Sequence, residues 1–147
     1  MNVYGAGDLT EISTMPDVST LPIIGTAYVS TIDFQSEWGA GYFRAVVPGT
    51  PDNLFAATWT GSFRISTAGN YVLCTNSDDG STLSIDGTLV VDNGGLHAPL
   101  QMCASRLLAA GKHSLLADLF ENFGQTAMQV YYSGPDTGNT LIPIQAA

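Results

Sequence analysis

Short β-forming runs, broken by glycine and Asx turns roughly every 8–12 residues, leave this chain little choice of fold class. Runs of strand character fall at residues 27–34, 54–59, 63–65, 71–75, 82–85 and 89–91, then at 107–108, 113–120, 128–132 and 141–144. The stretch 105–120 is rich in leucine and alanine, which favour helix. Gly111 in its middle predicts a hairpin turn between two strands instead. This spacing is that of an all-β sandwich or barrel.

The first 24 residues have a different character. Met15-Pro16-Asp17 and Leu21-Pro22 interrupt any regular ladder. The expectation is an extended N-terminal arm over residues 1–24 and a β domain over residues 25–147. Val3, Tyr4, Leu21, Ile23 and Ile24 give the arm apolar points. Such an arm either folds back on its own domain or adds a strand to a neighbour, building a homo-oligomer or filament.

Charge narrows the partners. The net charge is −9, and the cations are Arg44, Arg64, Arg106 and Lys112, scattered along the chain. A nucleic-acid groove needs clustered arginine and lysine, so nucleic acid is excluded as a partner. No apolar run is long enough to cross a bilayer as a helix, which argues against membrane insertion. Residues 1–8 lack the basic and apolar regions of a signal peptide. With so little lysine and so much serine, threonine, glycine and asparagine, the expectation is a processed or trimmed extracellular or cell-surface protein.

Two features carry chemistry. Asp78 and Asp79 sit at the end of the 71–75 run, inside Ser77-Asp78-Asp79-Gly80-Ser81. Neighbouring side chains on an extended strand point to opposite faces. Aiming both acids at one point requires the backbone to leave strand geometry, and a hard cation such as calcium would favour that. Asp-Asp-Gly also serves as a plain polar turn. The second feature is the cysteine pair, Cys74 and Cys103. The expectation is a disulfide, in keeping with an oxidising compartment; two buried thiols are the alternative.

The ordered set of motifs resembles a known family. Trp59-Thr60-Gly61, Ala68-Gly69-Asn70-Tyr71, Ser77-Asp78-Asp79-Gly80-Ser81, Ile85-Asp86-Gly87, Val90-Val91-Asp92-Asn93 and His97 come first. Leu108-Ala109-Ala110-Gly111-Lys112-His113, Phe120-Glu121-Asn122 and Tyr132-Ser133-Gly134-Pro135 follow. Together they are similar to the anthrax protective-antigen-type domain shared with yeast flocculins and other adhesins, over about Ile24 to Ile144. The resemblance implies a two-sheet antiparallel β-sandwich. It implies that Asp78 and Asp79 are joined by a cis peptide and both bind Ca2+. Asn122 matches a calcium-binding asparagine in a second loop, and Gly124 and Thr126 fall where carbonyl ligands occur. A sugar would then complete the coordination, with Phe123 stacking on its apolar face.

The reading that follows is a calcium-dependent carbohydrate-binding, lectin-like module with glycans as partners. The alternatives are a filament subunit and an accessory domain of a glycosidase. His97 is expected either to donate to a sugar hydroxyl or, preferably, to order the 92–95 loop. His113 is expected to pair within the sandwich. Neither histidine has zinc-ligand spacing with the cysteines. No catalytic residue is expected: a glycosidase needs two carboxylates facing a cleft, glutamate is rare here, and no pair stands out beyond Asp118 with Glu121.

Overall fold

The computed structural model describes residues 1–147. Eleven strands form two antiparallel sheets. They are β1 (Asn2–Gly5), β2 (Ile23–Thr26), β3 (Asp33–Trp38), β4 (Phe55–Ile65), β5 (Gly69–Asp78) and β6 (Ser81–Ile85). After these come β7 (Thr88–Asn93), β8 (Leu100–Leu108), β9 (Gly111–Glu121), β10 (Gln125–Ser133) and β11 (Ile142–Pro143). A short helix, α1 (Gly41–Val46), follows β3. One sheet runs β2-β1-β4-β9-β6-β7; the other runs β11-β10-β5-β8, with β3 also paired to β10.

Period-two patterning builds the core between the sheets. Phe55, Ala57, Trp59, Phe63 and Ile65 of β4 are all buried, as are Leu115, Ala117 and Leu119 of β9. Tyr71 and Leu73 of β5, with Met128 and Val130 of β10, meet them from the other sheet. Phe34, Phe43 and Trp59 stack edge and face at one end of this core. The β6–β7 hairpin turns at Asp86-Gly87, both with positive φ, as a two-residue turn between twisted strands requires. His113 pairs within the sandwich: Nδ1 lies 2.7 Å from Asp86 Oδ2, and Nε2 lies 2.9 Å from the Ala109 carbonyl.

The N-terminal segment folds back on its own domain. β1 sits between β2 and β4, paired on both sides, so it has no edge to lend a neighbour. Val3 is fully buried there. Residues 1–24 are therefore part of the sandwich rather than a detached arm, because β1 supplies the ladder partner that β4 would otherwise lack. The stretch between β1 and β2 crosses the outside of the sheet, where Ala6 and Ile12 cover Phe120.

Three other expectations are corrected. Residues 27–32 run irregularly and the strand begins at Asp33. Thr60-Gly61 does not divide β4, since Gly61 pairs in register with Leu115. The turn at Gly111 does not close a hairpin: β8 pairs with β5, whereas β9 pairs with β4 and β6, so the chain changes sheets there.

Cys74 and Cys103 form a disulfide across directly opposed positions of β5 and β8, closing 29 residues of chain. It ties the edge strand β8 to the strand that ends in the Asp pair. Removing it by Cys74→Ala with Cys103→Ala should cost about 3–4 kcal/mol on loop entropy. Urea unfolding of the variant measures this, and an unchanged midpoint would show the bridge to be idle.

Candidate functional site

The Asp pair lies where β5 passes into β6. Its flanking serines close the loop: the Ser77 and Ser81 hydroxyls are 2.7 Å apart, and Ser81 donates to Thr75 at 3.1 Å. Asn93 Nδ2 donates to Ser77 at 3.1 Å and to the Leu100 carbonyl at 2.9 Å. This chain of hydroxyls and amide is buried between the sheets. It anchors the loop from beneath. The Asp78–Asp79 peptide is cis. Gly80 has no room for a side chain, since a Cβ there would meet the Phe120 ring and lie 2.8 Å from the Gly95 carbonyl.

A third carboxylate completes the site. Oxygens of Asp78, Asp79 and Glu121 lie within 4.8 Å of one another. Asp78 and Asp79 are each 6% exposed and Glu121 is fully buried. Glu121 gets there by parity: it shares the inward face of β9 with Leu115, Ala117 and Leu119. Asp118, three positions earlier, takes the opposite face and bonds Thr82, so those two acids do not form a catalytic pair.

The electrostatics are unfavourable without a cation. Burial, then repulsion from Asp79 and Asp78, pushes the Glu121 carboxyl up to about 8. Burial, then Asp79, pushes Asp78 up to about 6, against a smaller opposing effect of His97. No lysine or arginine pairs with the cluster: the ion pairs of the chain are Arg44–Asp52 and His113–Asp86. Both Glu121 oxygens and the Thr126 hydroxyl are buried without a hydrogen-bond partner. Three clustered carboxylates, with both Glu121 oxygens unmet, are a donor set that fits a hard divalent cation such as calcium.

The other expected residues surround this cluster in different ways. Asp79 braces two loops: Oδ1 accepts from the His97 N–H at 3.1 Å and Oδ2 from the Asn122 N–H at 2.9 Å. The Asn122 side chain is engaged elsewhere, its Oδ1 accepting from the Ile12 N–H at 3.0 Å. The Gly124 carbonyl accepts from the Gly39 N–H at 2.8 Å. Thr126 is buried beside Glu121. His97 is occupied by backbone: its ring nitrogens each lie 3.0 Å from a carbonyl, of Ala98 and of Asn93. The ring thus sits against carbonyls of its own loop.

Two aromatics stand out on the rim. Phe123 is 56% exposed and Trp38 is 77% exposed. Trp38 ends β3, pairs in register with Gln125 and packs beside Gly124. β3 lies two strands from β5, about 10 Å across the sheet. Sequence reading missed both Glu121 and Trp38. The alternation of 113–121 could have placed Glu121 inward, an unusual position for an acid. Trp38 carried no signal, because its loop comes from outside the motif set.

Comparison with known proteins agrees with this architecture. The sequence profile of the PA14 domain matches residues 41–145. The PA14 sugar-binding domain from an RTX adhesin superimposes with a TM-score of 0.78 at 16% identity, covering 99% of this chain and 95% of that one. The PA14 domain of MpAFP antifreeze protein gives 0.79 at 16% identity, covering 99% and 88%. The Epithelial Adhesin 6 A domain from Candida glabrata, in complex with Galb1-3GlcNAc, gives 0.61 at 10% identity, covering 99% and 82%. No curated protein gives a significant sequence match.

Proposed function

Because the chain belongs to the PA14 domain family, we propose that it is a calcium-dependent carbohydrate-binding module of adhesin type, working outside the cell. The observation that carries this reading is the trio Asp78, Asp79 and Glu121, buried, within 4.8 Å and without a counter-charge. The adhesin domains that share its fold include one described as sugar-binding and one in complex with a disaccharide. The disulfide supports an oxidising compartment.

In this reading Asp78 and Glu121 supply free carboxylate oxygens to the ion. Asp79 shares its oxygens between the ion and the two backbone N–H groups it already holds. A bound calcium ion would supply charge and orientation for a pair of sugar hydroxyls. Phe123 and Trp38 offer apolar faces beside it for the C–H face of the sugar.

Calorimetric titration with calcium, followed by glycan-array binding with and without chelator, tests the proposal. The expected result is glycan retention that chelation abolishes. Calcium binding with a blank array would leave the ion a loop-stiffening role only, and no calcium heat would overturn the reading. Trp38→Ala should weaken glycan binding roughly 3–10-fold at saturating calcium. Calcium affinity should stay as it is, and titration with a retained glycan reads both.

A further inference from the structure

We infer that the glycan is a neutral oligosaccharide, and that a second subsite, a groove along β3 between Tyr28 and Tyr42, holds its later units. The inference rests on the reading above for the sugar that calcium anchors. Trp38, on the rim of that site, and Asp33 share one face of β3. They pair in register with Gln125 and Gln129 of β10, and directly opposed cross-strand residues lie on the same side of a sheet. Those two β10 positions are four residues apart, so Asp33 lies about 13 Å from Trp38 along the strands. A chain of sugars that leaves the carboxylates past Trp38 and follows β3 reaches Asp33.

Asp33 borders a groove of about 410 Å³ whose walls include Tyr28, Phe34, Tyr42 and Val46. Both tyrosines reach solvent: Tyr28 is 85% exposed and Tyr42 is 45% exposed. Helix parity puts Tyr42 there. Phe43 and Val47, four residues apart around α1, are buried, which leaves Tyr42 and Val46 together beside the groove. An apolar cavity of about 150 Å³ is enough to bind benzene, so this groove has room for about two sugar rings. It is open to solvent, as a chain that enters and leaves requires.

The second observation is polar. Asp33 Oδ1 accepts from Gln35 Nε2 at 2.7 Å and from Gln129 Nε2 at 2.6 Å. Gln129 is 6% exposed, and its Oε1 in turn accepts from Asn76 Nδ2 at 2.9 Å. A buried amide therefore holds the carboxylate in one orientation, while its other oxygen, Oδ2, bonds nothing in the protein. A fixed acceptor beside exposed tyrosine rings suits a sugar, whose hydroxyls donate and whose C–H faces lie on aromatic rings. No lysine or arginine lines the groove, and the chain carries a net charge of −9. Acidic glycans are repelled by that field, which leaves neutral ones.

The test uses the full chain with β1,4-linked oligomers of glucose, galactose and mannose, one to six units long. Calorimetry reads affinity, and NMR reads the tyrosine ring signals, which Tyr28→Ala and Tyr42→Ala assign. At saturating calcium, affinity for one of these series should rise roughly 3–10-fold from dimer to tetramer, and the tetramer should move both signals. Each alanine variant should lose most of that gain while keeping the parent's calcium and monosaccharide affinities. Should Tyr42→Ala fail to fold, Tyr28→Ala, at the more exposed position, carries the comparison. In chelator the tetramer should still move both signals, in the millimolar range. Calcium-dependent monosaccharide binding with no gain from length and unmoved tyrosines would refute the groove and leave the anchoring site standing. Tyrosine shifts that calcium does not strengthen would keep the groove and overturn the calcium reading. A proline-rich decapeptide that moves the tyrosines when no oligomer does would assign the groove to peptides and overturn the inference. Silence from every oligomer would overturn both.

Discussion

Asp78→Asn should cost the domain its calcium, by about a thousandfold or more in affinity, while making the metal-free protein harder to unfold. The two effects have one origin. The Asp78 side chain makes no hydrogen bond within the protein, and its carboxyl is already pushed up to about 6 by burial and then by Asp79. Removing its charge relieves repulsion within a cluster whose oxygens lie within 4.8 Å. The same change removes a direct anionic donor, a loss beyond the ~10–100-fold typical of groups that merely support a ligand. Asp79→Asn is a poorer probe, because Asp79 braces both the His97 and Asn122 backbones. Losing one acceptor there would loosen two loops and confuse unfolding with loss of the site. Calcium calorimetry and thermal unfolding in chelator, on the same Asp78→Asn sample, read both quantities. Calcium affinity within tenfold of the parent, or a lower metal-free midpoint, would remove Asp78 from the role assigned to it.

Strands with strict alternation are legible in the sequence itself. The runs around Phe63, Tyr71, Leu83 and Leu115 all lie on observed strands, because period two and Gly-Asx turns leave few options. What escaped was set by tertiary pairing. β1 is four residues long and neighbours no other strand in sequence; it is a strand because β4 and β2 flank it. Gly61 looked like a break, yet a glycine keeps its ladder bonds when both neighbours are strands, and β4 runs straight through it. Local signals at Gly111 cannot distinguish a turn that closes a hairpin from one that changes sheets; the pairing of β8 with β5 and of β9 with β4 decides it.

The site was legible in half. Asp78 and Asp79 were evident as an adjacent acid pair at a strand end. Glu121 required knowing that β9 would bring its inward face against β5 and β6 at that level, a fact of packing. Asn122 carries the motif, and its side-chain oxygen accepts from the Ile12 N–H of the 6–22 crossing segment, a long-range contact that no local pattern announces. Where an acid precedes an asparagine at a strand end, the alternation of that strand decides which of the two faces inward.

The stability of the metal-free domain should fall as pH rises from about 5 to 8.5, and calcium should remove most of that dependence. The sign follows from proton binding. The folded carboxyl of Glu121 is raised to about 8 from an ordinary value of 4.5, so the folded state holds a proton that the unfolded chain releases. Below 4.5 both states are protonated and nothing is lost. Through the window from 4.5 to 8 the unfolded state gains, and above it the full penalty applies. Asp78, raised to about 6 from 3.8, adds to the lower part of the same window. For Glu121 alone the penalty is on the order of 5 kcal/mol at most. Calcium binds the ionised form, so its stabilising effect should grow with pH over the same range. Thermal unfolding at pH 5.5, 7 and 8.5, in chelator and in calcium, measures both slopes. Glu121→Gln isolates the cause: it should flatten the chelator curve and unfold later than the parent at pH 8.5. Parallel curves for the parent and Glu121→Gln in chelator would mean that the buried glutamate does not hold its proton, and the account of a site poised for a cation would lose its electrostatic basis.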